Sequence, residues 1–159
     1  MKNKGFTLLE LVITMTLLIL LTTLSIASYS YLVRNNEQQT IIDELSSAVQ
    51  YAKMQALILG KSVILQPVDD SLDWSHGLLL TTWSSKQHQS EILHQWQWYH
   101  PQWQLTWIGA HSDNKILFSD NPMHAISNGH FNLMNISTAK NKIIILNRLG
   151  RIRVSNRLF

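Results

Sequence analysis

The chain has 159 residues, 45% of them hydrophobic and 14% charged, and contains no cysteine. That length holds one domain of moderate size, and the lack of thiols excludes both a disulfide framework and a thiolate metal site. The formal net charge of +3 conceals a division: residues 6–120 carry five basic side chains against all ten acids, while residues 121–159 carry six basic side chains and no acid. An asymmetry of that kind points to a polyanionic partner for the C-terminal part.

The chain opens Met1-Lys-Asn-Lys-Gly5-Phe6-Thr7-Leu8-Leu9-Glu10, and residues 11–33 then carry no charge at all. Those 23 positions suffice to cross a hydrocarbon core of about 30 Å as a helix. An acid at the border of such a span is costly without a partner, so Glu10 requires one. A secretory signal would have a shorter apolar core followed by a small-residue cleavage site, and that pattern is missing. Lys2 and Lys4 place the leader on the cytoplasmic side.

Beyond Arg34 the pattern becomes amphipathic. Ile41, Ile42, Leu45, Ala48, Val49, Ala52, Ala56 and Leu59 recur at intervals of three and four, as a helix packed on a core requires. Proline is absent from positions 6–66 and Gly60 is a natural stop. One helix of roughly 80 Å over residues 6–59 is predicted, at about 1.5 Å per residue. Its first half is assigned to membrane or filament core, its second half to the face of a head.

After Gly60 the sequence reads as strands: 61–66, 76–83, 91–99, 102–108, 115–118, 130–134, 142–146 and 151–154, separated by turn-rich segments such as 69–73 and 84–90. Antiparallel strands packed on the amphipathic half-helix give an α+β head. Six tryptophans are spread over this region. Trp96 and Trp98 share one strand face, as do Trp103, Leu105 and Trp107; core filling is the expected use, with nucleobase stacking as the alternative.

Near the C-terminus, Asn147-Arg148-Leu149-Gly150 reads as a hairpin turn in which Gly150 adopts a positive φ. On the following strand, alternation sets Arg151 and Arg153 on a water-facing side and anchors Ile152 and Val154 in the core. Guanidinium groups suit phosphate through paired charge-assisted hydrogen bonds. Arg148 at the turn and Lys140 and Lys142 on the preceding strand widen the patch. The competing reading is a solvated face that protects an edge strand from aggregation.

Other chemistry finds little support. Seven histidines lie between His76 and His130; His88, His94 and His100 recur every six residues, a spacing that matches no familiar metal site. A surface or loop role is expected for them. Asp69, Asp70 and Asp73 lack the glycine and distal glutamate of an EF-hand. Nucleophile elbows, phosphate loops and paired catalytic carboxylates are not found. The expectation is a protein that is not an enzyme and uses no cofactor or metal.

Gly5, Phe6, Thr7, Leu8 and Glu10, with the apolar run behind them, resemble the class III leader of type IV pilins and type II secretion pseudopilins. Tyr51 to Leu65, Trp74, Gly77 and the closing Gly150-Arg151-Ile152-Arg153 narrow the resemblance to the FimT/GspH branch of minor pilins. It implies a leader over residues 1–5, a transmembrane or filament-core half-helix over 6–33, an amphipathic half over 34–60 and an antiparallel β-rich head over 61–159. It implies cleavage by a prepilin peptidase after Gly5, N-methylation of Phe6, and pairing of Glu10 with the terminal amine of a neighbouring pilin subunit. An inner-membrane precursor with a periplasmic head would precede an extracellular pilus.

FimT-type minor pilins bind DNA through a Gly-Arg-x-Arg motif. The resemblance therefore implies double-stranded DNA, held by its phosphate backbone, as partner for Gly150, Arg151 and Arg153 during natural transformation. A GspH-type pseudopilin of type II secretion, or a pilin needed only for pilus assembly, are the alternatives. Many members also carry a cysteine where Gln66 stands, so this head must be held without that staple.

Overall fold

The computed structural model describes residues 7–69, 71–84, 89–121, 123–125 and 127–155; the side chains of residues 24–28, 30, 31 and 34 lie outside the description. Gly5 and Phe6, where cleavage and methylation are expected, fall outside the described residues, as do Asp70, Lys86, His88 and Arg157. One helix, α1 (Leu8–Leu59), is followed by eight described strands: β1 (Val63–Pro67), β2 (Gly77–Ser84), β3 (Gln89–Gln97), β4 (Trp103–Gly109), β5 (Ile116–Phe118), β6 (Gly129–Asn135), β7 (Asn141–Leu146) and β8 (Ile152–Ser155). The chain divides into two compact units, Met1–Ile41 and Ile42–Phe159.

In the first unit, Thr7 caps the helix. Its side-chain oxygen accepts the backbone N–H of Glu10 at 3.3 Å, and its carbonyl accepts the N–H of Leu11 at 3.2 Å. Thr7 and Glu10 thus occupy the N-cap and third positions of a Thr-x-x-Glu start. The acid also sits in the first turn, where the helix dipole favours negative charge. Along the next turns Leu9, Leu11, Val12, Ile13, Leu17, Leu18, Ile19, Leu20 and Leu21 are all exposed. Among the described residues no helix is long and apolar enough to cross a membrane; side chains of the apolar run are described continuously only over 7–23.

In the second unit the helical stripe is buried as its spacing predicts. Leu45, Ala48, Val49, Ala52 and Ala56 are fully covered. Leu59, expected to continue the stripe, is exposed, because the helix ends there. The Lys61 N–H reaches back to the Ala56 carbonyl at 3.3 Å and Gly60 takes φ +57°, a Schellman-type end.

The strands form two antiparallel four-stranded sheets, ordered β3-β2-β1-β5 and β4-β6-β7-β8. Val63, Leu65, Leu78 and Leu80 bury the inner face of the first; Leu105, Trp107, Phe131, Leu133, Ile144 and Leu146 bury that of the second. Trp74, Trp107 and Phe131 stack against one another with ring centroids 4.6 to 6.4 Å apart, geometry that adds to plain area burial. The inner face admits Trp107 because two glycines flank it. A Cβ on Gly129 would lie 2.6 Å from the indole.

Two expectations are corrected here. His76 does not begin a strand but closes a single 3-10 turn, Trp74–His76, capped by Asp73. One carboxylate oxygen of Asp73 accepts the N–H groups of both Ser75 (2.9 Å) and Leu105 (3.1 Å), tying this turn to β4. Trp83, expected in the core, is 57% exposed, because it alternates out of phase with Leu78, Leu80 and Thr82 on β2. Of the remaining tryptophans, Trp74, Trp103 and Trp107 are buried, while Trp96 and Trp98 are half-buried.

Candidate nucleic-acid interface

The C-terminal hairpin is built around Asn147. Its carbonyl accepts the Gly150 N–H at 2.9 Å, closing the turn. Its side-chain oxygen accepts two further backbone N–H groups, Leu149 at 3.0 Å and Arg151 at 2.8 Å, the local bonding that makes asparagine a turn residue. Gly150 takes φ +73°, a conformation that costs a side-chain-bearing residue strain.

The turn is pinned from outside as well. The Ser127 hydroxyl donates to the carbonyls of Asn147 (3.3 Å) and Arg148 (2.9 Å), and the Lys53 ammonium, reaching from α1, donates to that of Leu149 at 2.9 Å. Three successive turn carbonyls are therefore held. Neither Lys53 nor Ser127 carries a sequence signal for this role, since both partners are backbone atoms far along the chain.

The basic residues are distributed less simply than alternation predicts. Pairing of β8 starts at Ile152, so Arg151 belongs to the turn and the alternation argument covers Arg153 alone. Both arginines are exposed. Arg153 lies in register with Ile145 and, through β7, with His130, on the outer face of the sheet. Arg151 borders a shallow groove shared with Ile42, Ser46 and Gln50 of α1. Val154 shares a face with buried Ile144 but is itself 39% exposed; as part of an edge strand it has a neighbour on one side only.

Lys142 pairs with Leu133 and has the parity of Ile144 and Leu146. It therefore points to the inner side, not to the face of Arg153. Lys140 precedes β7, and its carbonyl accepts the Asn135 N–H at 2.9 Å. It stands at the end of the six-residue β7 away from the hairpin, roughly 20 Å along the strand. The Arg148 guanidinium folds back on its own scaffold, donating to the carbonyls of Met123 (2.6 Å) and Ala125 (3.2 Å). The structure thus groups Arg148, Gly150, Arg151 and Arg153 at one end of the sheet and sets both lysines apart. Glu10 lies in the other unit.

Elsewhere two imidazoles are tied to carboxylates. His100 contacts Glu44 of α1 at 2.8 Å, and His76 contacts Asp69 at 3.0 Å. Hydrogen bonds from Ser71 and then His76 hold the Asp69 carboxyl below its ordinary value, and the bond to Asp69 raises that of His76. Among the described residues no group of three His, Asp or Glu side chains could hold a metal ion.

A long N-terminal helix followed by an antiparallel head is the fold of type IV pilins. Two crystal forms of the type IV minor pilin FimU from Pseudomonas aeruginosa (strain PAO1) superpose with TM-scores of 0.59 and 0.55 at 19% identity. The first match covers 77% of this chain and 90% of that one, the second 74% and 91%. Residues 42–150 match the family described as type II transport protein GspH, and residues 1–26 match the prokaryotic N-terminal methylation motif. The chain belongs to the GspH family of minor pilins and pseudopilins, which are structural proteins. No curated protein sequence matches it.

Proposed function

We propose that this pilin captures extracellular DNA through its C-terminal hairpin, without sequence preference, for uptake in natural transformation. The observation that carries the reading is the immobilised turn. Asn147, Ser127 and Lys53 together hold the backbone from which Arg151 and Arg153 project into water. A backbone already fixed in the turn need not be ordered when the guanidiniums engage a phosphate oxygen pair, and residues 121–159 contain no acid to compete for them.

The leader reading belongs to the same proposal. Cleavage after Gly5 and methylation of Phe6 leave Glu10 to pair with a neighbouring subunit's amine, each charge offsetting the other in an apolar medium. The exposed apolar side chains of residues 11–21 support this: only Thr14 and Thr16 interrupt them, and both hydroxyls bond back to helix carbonyls, leaving the surface that a membrane or filament core covers. The precursor would span the inner membrane once with its head in the periplasm, and the processed chain would join other pilins in a filament.

Duplex binding by the full-length chain in detergent, followed by fluorescence anisotropy, tests the reading. Two to six phosphate contacts predict that log affinity falls with log salt at a slope of roughly −2 to −5. A salt-independent affinity, or none at low salt, sinks it. A second reading, a type II secretion pseudopilin that binds protein, is favoured by the name of the matching family.

A further inference from the structure

Beside the arginine hairpin lies a groove of about 1040 Å3 on the outer face of the second sheet. Its floor is Ile143 and Ile145 of β7, and three imidazoles border it: His130 from β6, His111 from the loop after β4, and His124 from the segment after β5. Arg148 closes one end, locked by its bonds to the carbonyls of Met123 and Ala125. The groove and the hairpin are one surface. Asn147 and Arg148 line it, and Arg153 stands opposite floor residue Ile145 on the adjacent strand.

Three features select the occupant. Among the described residues the lining contains no carboxylate; the nearest acids along the chain, Asp113 and Asp120, are not among the lining residues and accept the Gly109 N–H and the Ser119 hydroxyl. An anionic ligand therefore meets only neutral or cationic side chains. The apolar floor with imidazole walls suits the flat faces of a heteroaromatic ring, and histidine is among the side chains on which unstacked bases lie. The ring nitrogens and the Asn128 amide, also at the rim, can donate to or accept from its edges. The volume lies at the upper limit of small-ligand clefts, roughly 300–1,000 Å3. A base inside a duplex is stacked and paired and cannot enter; an unpaired one can.

We infer that this groove binds an unpaired nucleotide at the end of a DNA strand while Arg153, on the same outer face, holds the neighbouring phosphate, making frayed or single-stranded ends the preferred substrate. The inference rests on the DNA-binding reading above. It requires a preference that phosphate contacts alone cannot produce.

The test uses the full-length chain in detergent and three labelled probes in one low-salt buffer. These are a short blunt duplex, the same duplex with a single-stranded thymidine overhang, and that duplex with an overhang of abasic sites, which keeps the phosphates and deletes the bases. The base-bearing overhang should bind roughly five- to a hundredfold tighter than the abasic one, the range seen for a stacked base. The double variant His124→Ala/His130→Ala should lose that preference while keeping blunt-duplex affinity, which also shows that it folds. Equal affinity for base-bearing and abasic overhangs by the wild-type chain, with blunt duplex still bound, overturns the groove assignment and leaves the hairpin reading standing. Failure of all three probes to bind overturns both.

Discussion

Asn147 does more for the hairpin than either arginine, since it receives three backbone N–H groups on two oxygens. Replacing it by alanine should cost about 1 kcal/mol of stability, the net worth of a typical hydrogen bond, and should weaken duplex binding although no charge changes. Gly150→Ala tests the same turn from the backbone: φ +73° and a Lys53 methylene 3.3 Å from the new Cβ predict a loss of about 1 kcal/mol. A thermal melt reads both, and an unchanged midpoint in either variant contradicts the account of the turn.

The His76–Asp69 pair yields a pH prediction at the same scale. The contribution of Asp69, whose carboxyl is lowered, is complete above the ordinary value of 3.8 and lost as pH falls through the lowered one. That of His76, whose imidazole is raised, is complete below the ordinary 6.5 and lost as pH rises through the raised value. Both operate between about 3.8 and 6.5. The stability difference between wild type and His76→Asn should peak in that window and shrink on either side, though by little because both side chains are largely exposed. A pH-independent difference in denaturant midpoints would count against it.

Between elements, the β4–β6 pair depends on Trp107 lying over two glycines that face each other across the strands, Gly109 and Gly129. Gly129→Ala places a methyl against both the indole and the Ile108 carbonyl. Overpacking of that kind should cost about 1–3 kcal/mol and disturb the near-ultraviolet signal of the tryptophan; a wild-type urea midpoint would show that the pair can spread. The strands themselves were legible from alternation, their ends falling within about two residues of the observed ones. β3 shifted furthest for a physical reason: every residue in it is exposed or half-buried, so no hydrophobic pattern fixes its register. An extra residue, Leu93, is accommodated where β3 pairs with Leu80 and Thr81 of β2, and no local signal marks it.

For the molecule as a whole, the leader and the basic tail were readable as composition and motif, whereas the site between elements was not. Which lysines accompany Arg153 depends on inter-strand register, and register turned Lys142 to the inner face. The histidine groove joins residues from β6, a loop after β4 and a segment after β5, a convergence that sequence spacing cannot express. Lys53 shows the same limit, reaching the hairpin across 96 positions of chain.

The central claim is that the arginines at the hairpin, and not the total positive charge of the tail, capture DNA. It is tested most directly by duplex affinity of the full-length chain at low salt, comparing wild type, Arg151→Gln/Arg153→Gln and Lys140→Gln/Lys142→Gln, which remove equal charge. The account predicts a loss of roughly tenfold or more for the arginine pair, from two lost phosphate contacts, and a much smaller change for the lysine pair. Equal losses in the two variants, or unaltered binding without the arginines, would contradict it.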